Sequence, residues 1–114
     1  MTRAIILSAS AGSGKTYQLA LKYVCDVVRH PEKFRNILAV TFTNKATEEM
    51  KSRILREIDT LASGKESSYI EKIQELTGFS EAHIRSQAMR ARTYILHDYS
   101  HFSVLTIDRF FQRI

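Results

Sequence analysis

Three short stretches of the chain are apolar at successive positions rather than at alternate ones. They are "AIILSA" (4–9), "ILAVTFT" (37–43) and "SVLTI" (103–107). Runs of this length, nearly uncharged and rich in β-branched residues, predict buried strands. Between them the apolar positions change to helical spacing. Leu19, Tyr23 and Val27 mark one face of a helix starting near Lys15. Ala46, Met50, Ile54, Ile58 and Leu61 form a second stripe, and Ile84, Ala88, Ala91 and Ile95 another. Recurrence every three to four residues is the signature of a helix with one buried face. The breaks are also legible. Pro31 disfavours helix at His30, so "RHPEKFRN" interrupts the pattern. Thr43 or Asn44 is a natural N-cap, Gly64 a stop, and Ser80 a second N-cap. "SSYIEKIQELTG" (67–78) predicts a shorter helix, and "DRFFQRI" (108–114) begins another.

Strands separated by helical crossovers imply a parallel α/β sheet. Each predicted strand runs into a small or hydroxyl residue and then a helix start, so the three junctions share the carboxyl edge of one sheet. Open α/β sheets bind ligands at that edge. Three strands fall below the usual sheet size. The chain is therefore expected to be the amino-terminal piece of a larger protein; the alternative is a complete small domain.

Composition narrows this modestly. Lys and Arg number 17 against 12 acids, a net charge of +5 at pH 7. That balance suits a polyanionic partner without identifying one. The single cysteine, Cys25, excludes an intrachain disulfide and suits a reducing, cytoplasmic compartment. Its place in a helical stretch marks it as a packing residue. The apolar run after Arg3 is too short for a signal peptide, and no stretch is long enough to span a bilayer.

The strongest chemical signal is "ASAGSGKT" (9–16), which fits the phosphate-loop pattern with Ala9 at its first position. The residue types follow from the task. Gly12 and Gly14 let the backbone turn and approach a phosphate without a Cβ. Successive N–H groups from Ala11 to Tyr17 line an anion nest, with the positive end of the following helix behind it. Lys15 is expected to reach the β- and γ-phosphates of a nucleotide, and Thr16 to place its hydroxyl on Mg²⁺. Ala11, Gly12, Ser13, Gly14, Lys15, Thr16 and Tyr17 are thus the candidate nucleotide site. Lys15 and Thr16 are its catalytic candidates, and Thr16 is the metal ligand. A phosphate loop alone leaves the reaction open. Asp108, after "SVLTI", is a candidate metal aspartate, although Arg109 follows where many hydrolases place Glu.

The second junction adds "AVTFTNKATEEMKSRI" (39–54). Together with "ASAGSGKT" and "TIDRFFQRI" it resembles the start of a superfamily 1 DNA helicase of the UvrD/RecB/AddA group. Thr41, Phe42, Thr43, Asn44, Lys45, Ala46, Glu49, Met50, Arg53 and Ile54 match that family's motif Ia. "TIDRFFQRI" is more similar to the RecB/AddA helicase–nuclease branch. The resemblance implies the first part of a RecA-like P-loop NTPase domain, cut before the family's Walker B acids. It also implies ATP and Mg²⁺ as cofactors and single-stranded DNA along the edge at Phe42, Thr43, Asn44, Lys45 and Thr106. A second helicase–nuclease subunit is a further implied partner, and no membrane is. Helix amino ends can present N–H groups to DNA phosphates, and an aromatic such as Phe42 can stack on any base.

The pattern departs from the family in several places. No Gln precedes the phosphate loop, where the family reads adenine. Asp108-Arg109 replaces His-Ser. The helices between about 62 and 100 carry no family motif. Two other readings remain open from the residues themselves: a different P-loop enzyme such as a kinase using Asp108, and a non-enzymatic basic DNA-binding module. His97, Asp98 and His101 do not have the spacing of a closed zinc set and are expected to cap or face water. Arg85, Arg90 and Arg92, with Glu81, are expected to form a solvated face.

Overall fold

The periodic stripes become helices because each can bury one side only by meeting another element. The structure is a computed structural model that describes residues 3–6, 13–41 and 43–106, and the side chains of 17–41, 43–104 and 106. Its order is β1 (Arg3–Ile6), α1 (Ser13–Arg29), a 3₁₀ helix (Pro31–Asn36), β2 (Ile37–Thr41), α2 (Asn44–Ala62), α3 (Tyr69–Thr77), α4 (Glu81–His97), a 3₁₀ turn (Tyr99–His101) and β3 (Ser103–Thr106).

The strands form one parallel sheet in the order β1-β2-β3. Ile6 stands in register with Val40, and Thr41 with Thr106. The carboxyl ends of all three strands are therefore level. Both crossovers step in the same direction across the sheet. With the right-handed rule this places every intervening helix on one face. The core agrees: residues from α1, α2, α3 and α4 join Ile37, Ala39 and Val104 in one cluster. Alternation along β2 sends Leu38 and Val40 to the other face.

Each predicted stripe is buried. Met50, Ile54, Ile58 and Leu61 of α2 are at most 1% exposed. At about 1.5–3 kcal/mol for each such side chain, this stripe alone holds α2 on the sheet. Tyr23 and Val27 of α1 are fully buried, as are Ile84, Ala88 and Ala91 of α4. Tyr23 meets Phe102 edge-on at 5.7 Å between ring centres, tying α1 to the chain entering β3. The helix ends are closed by polar groups. Gln87 Nε2 donates to the Val28 carbonyl at 2.9 Å, and Arg29 Nη2 to the Leu76 carbonyl at 2.7 Å. Both satisfy carbonyls that a helix leaves free in its last turn. Gly78 takes φ +75° at the end of α3, a left-handed cap that suits glycine.

Several boundaries differ from the sequence expectation. β1 begins at Arg3, and residues 7–9 of "AIILSA" lie outside the described residues. α1 starts at Ser13 rather than near Lys15. β2 ends at Thr41 because Thr43 is already the extended N-cap of α2. "RHPEKFRN" is not an irregular break. Pro31 opens a 3₁₀ helix, where a missing N–H costs nothing, and Phe34 is carried into the core. The helix expected from 108 lies outside the described residues. Arg85, Arg90 and Arg92 stay partly exposed, as expected of a solvated face with Glu81, and each is also paired. Arg85 bonds Glu81 and the carbonyls of Leu61 and Lys65, Arg90 reaches Gln87 and Glu32, and Arg92 reaches Asp59.

Candidate functional site

The site is built at the carboxyl edge of the sheet, where β1 leads to α1 and β2 leads to α2. α1 opens with Ser13, Gly14, Lys15 and Thr16 in helical conformation and has no acid in its first turn. The amides of that turn have no partner within the helix, and the helix dipole concentrates positive potential there. α2 opens on the same edge and also lacks an acid in its first turn. The other two helices differ. α3 carries Glu71 and α4 carries Glu81 in the first turn. Acids normally favour that position, so two adjacent amino ends on this edge have no acidic side chain in their first turn.

The β2–α2 turn is held by three hydroxyls. Thr43 Oγ1 accepts from the Ala46 N–H at 3.0 Å, a standard N-cap bond. Thr47 Oγ1 donates to the Thr43 carbonyl at 3.1 Å, and that carbonyl also accepts the Thr47 N–H at 3.0 Å. Thr41 Oγ1 and Thr47 Oγ1 share a buried hydrogen bond of 2.6 Å. The last strand residue and the first helical turn are thereby locked together. On this base Thr43, Asn44 and Lys45 face solvent, while Ala46 and Thr47 are buried.

The predicted residues fall into three groups. Thr43, Asn44 and Lys45 are exposed at the edge, and Ser13 to Thr16 form the first turn of α1. Ala11, Gly12, Phe42 and Asp108 lie outside the described residues. Two candidates are placed differently from the rest. Tyr17 turns to α3: its ring meets Tyr69 edge-on at 4.7 Å, and its hydroxyl donates to the Ser68 carbonyl at 3.4 Å. Tyr69 donates back to the Tyr17 carbonyl at 3.0 Å. Thr106 is 8% exposed and stands beside Thr41 in register. Thr47 was not among the predicted site residues. Its signal was a hydroxyl four residues after the cap, on the inward face of a helix, where it can reach back to the cap carbonyl.

Away from the edge, Asp98 accepts from Arg35 at 2.6 Å and bonds His101 Nδ1 at 2.7 Å. The His101 hydrogen bond, with Arg35 beside it, holds this carboxyl below its usual range. It is a clasp between the two 3₁₀ segments. No group of three or more His, Cys, Asp or Glu side chains that could hold a metal occurs among the described residues. Cys25 is buried, and burial pushes its thiol up to about 11. No helix among the described residues is long and apolar enough to cross a membrane.

A parallel sheet with its helices starting from the strand edge defines an α/β domain of the open-sheet class. Comparison with known proteins narrows the class. The UvrD/REP helicase N-terminal domain family matches residues 1–114, and the chain belongs to that family. It is 33% identical over 105 residues to the RecBCD enzyme subunit RecB of Borreliella burgdorferi, covering 90% of this chain and 8% of that protein. It is 40% identical over 73 residues to an ATP-dependent helicase/nuclease subunit of Bacillus mycoides, covering 61% of this chain and 6% of that protein. It is 32% identical over 124 residues to RecB of Buchnera aphidicola, covering 96% of this chain and 10% of that protein. The chain thus spans about a tenth or less of the length of these relatives. No solved structure matches.

Proposed function

We propose that this chain supplies the phosphate-binding and first DNA-gripping elements of an ATP-dependent DNA helicase, and that the whole protein acts in recombination and repair beside a nuclease activity and a partner subunit. The observation that carries the reading is the pairing of acid-free amino ends: α1 and α2 open side by side on one sheet edge, and neither has an acid in its first turn. The group implied at α1 is the triphosphate of ATP with Mg²⁺. The donors suit it: four successive amides on Ser13, Gly14, Lys15 and Thr16, one cation, and hydroxyls on Ser13 and Thr16.

Bound Mg²⁺-ATP would supply the free energy of hydrolysis. The chain's own part is to hold the phosphates at the first turn of α1, with Lys15 balancing their charge and Thr16 offering a metal ligand. Ala11, Gly12 and Tyr17 belong to the same proposal through their backbone. At the neighbouring edge Thr43, Asn44 and Lys45 meet the DNA backbone, Phe42 stacks on a base, and Thr106 supports the edge from β3. Thr41, Thr43 and Thr47 tie that turn to β2 and α2, so that the edge moves as one unit with the nucleotide state.

Fluorescent ATP-analogue titration with Mg²⁺ tests the reading. The chain is expected to bind, and Lys15→Ala to bind at least tenfold more weakly with an unchanged far-UV spectrum. Equal affinity of the two proteins would refute the site. The chain is expected to show negligible DNA-stimulated ATP turnover.

A further inference from the structure

α4 is apolar on two sides, and the core uses only one of them. Ile84, Ala88, Ala91 and Ile95 form the inward stripe and are buried. Two residues before each of these, about 200° around the helix, stand Ala82, Ser86, Met89 and Thr93, and Leu96 continues the row. All five are exposed. Their spacings alternate between four and three, the pattern of a heptad seam. Met89 is 51% and Leu96 70% exposed. With Tyr94 and Tyr99 they are four of the five large hydrophobic side chains exposed among the described residues, so exposed apolar surface is gathered on α4 and the turn after it. A gathered patch marks an interaction surface where scattered single residues do not.

Charge on the flanks narrows the kind of partner. His83, Arg90 and His97 border the seam on one side, and Arg85 and Arg92 on the other. No seam or flank position on α4 carries an acid. Flanking residues of a helix seam choose the partner helix through their charge. Arg85 is anchored by the carbonyls of Leu61 and Lys65. Arg90 and Arg92 are paired with Glu32 and Asp59 at 3.8 and 3.0 Å, and both of these acids are about half exposed. Exposed pairs of this kind add little, so the two guanidinium groups are free to turn to carboxylates across the seam.

We propose that this face of α4 docks an amphipathic helix of a partner protein, with large aliphatic side chains along its seam and acidic residues on both flanks. Ala82 and Ser86 leave holes that a partner leucine can enter, while Met89 and Leu96 are knobs for holes on the partner. A second copy of this chain is disfavoured, because it would set Arg90 and Arg92 against like charges. Nucleic acid is disfavoured too, since Met89 and Leu96 offer nothing to a phosphate. One helix pair stays below about 1,200 Å² of buried surface, so the contact belongs to the weak, transient class rather than the obligate one. The inference rests on α4 alone and not on the nucleotide reading above.

Fluorescence anisotropy on the whole chain tests the docking. The probe is a labelled synthetic helix of about three heptads, with Leu along its seam and Glu on both flanks. A second peptide carries Lys in place of Glu. The Glu peptide is expected to bind at least tenfold more tightly than the Lys peptide at low salt, and the gap to narrow as salt rises. Leu96→Ser and Met89→Ser, both at exposed positions, are each expected to weaken the Glu peptide at least tenfold with an unchanged far-UV spectrum. Equal affinity for the two peptides, or full binding by both variants, would overturn the proposal. So would dimers of the chain that Leu96→Ser disperses, or a tenfold loss of single-stranded DNA binding in Leu96→Ser. A second measurement reads charge alone. Arg90→Glu combined with Arg92→Glu is expected to shift the preference toward the Lys peptide, and an unshifted preference for the Glu peptide would overturn the assignment. Neither measurement reads nucleotide binding, so the two readings fail separately.

Discussion

Thr47→Val changes one atom type at the β2–α2 turn and leaves the shape of the side chain intact. Thr47 is 8% exposed, so its hydroxyl is effectively inside the protein. The substitution removes the 2.6 Å bond to Thr41 and the 3.1 Å bond to the Thr43 carbonyl. It strands neither partner. The Thr43 carbonyl keeps the Thr47 N–H, and the Thr41 hydroxyl proton can turn to the Thr43 carbonyl, 3.3 Å away. The full penalty for a buried orphan therefore does not apply. A loss of about 1–1.5 kcal/mol is expected, near the net worth of a buried hydrogen bond.

Urea unfolding followed by far-UV circular dichroism measures it. With a slope of about 1–3 kcal/mol per molar, the midpoint should fall by roughly 0.5–1 M. Thr41→Val should cost a similar amount. The double variant should cost less than the two together, by about 0.5–1 kcal/mol, because the shared bond is lost only once. A Thr47→Val midpoint within the range of an ordinary surface change, about ±0.5 kcal/mol, would refute the lock. So would strict additivity.

Other outcomes follow from the same geometry. Ile54→Ala, at a fully buried position in α2, is expected to cost about 2–5 kcal/mol in the same urea assay. Lys45→Ala should weaken single-stranded DNA binding across sequences and lower the slope of log affinity against log salt by about 0.7, read by fluorescence anisotropy. Cys25 should resist thiol reagents at pH 8. Raising a thiol from 9.0 to about 11 cuts the thiolate fraction roughly 100-fold, and labelling should recover in urea. The same shift has a stability sign. The folded state holds this proton more tightly than the unfolded state, so its contribution is complete below about pH 9. It is lost as pH rises from about 9 to 11. Tyr23 and Tyr69, also pushed up by burial, act in the same direction at higher pH. Midpoints measured from pH 8 to 11 should therefore fall.

The helices were legible in the sequence because their signal is redundant. Five residues of α2 repeat one spacing and two polar residues mark its ends, so no single misreading moves it. The caps were legible for a chemical reason: Thr43 and Ser80 each offer a side-chain oxygen to an N–H three residues on, at 3.0 and 3.2 Å. The 3₁₀ helix at Pro31–Asn36 was not legible. Six residues give no period, and the residue that anchors it, Phe34, stands among Lys33, Arg35 and Asn36. Nor was the fate of the arginines on α4. Sequence shows their charge, while the partners Asp59 and Leu61 lie on another helix and become neighbours only after folding.

The exposed edge shows how the same residue type divides between structure and chemistry. Thr41, Thr43 and Thr47 look interchangeable in "TFTNKAT", and all three could be assigned to a ligand on sequence alone. The fold separates them. Thr47 is turned inward by α2, and Thr41 is shielded within the sheet. Thr43 spends its hydroxyl on the cap while its position stays open. Three hydroxyls fix the turn, and two other residues, Asn44 and Lys45, stand exposed on it. A rigid turn also couples the two halves of the edge. α1 and α2 pack on the same sheet face through one continuous core. A shift of α1 on filling its amino end would thus be transmitted to the Thr43–Lys45 edge through close-packed side chains rather than absorbed in a loose loop.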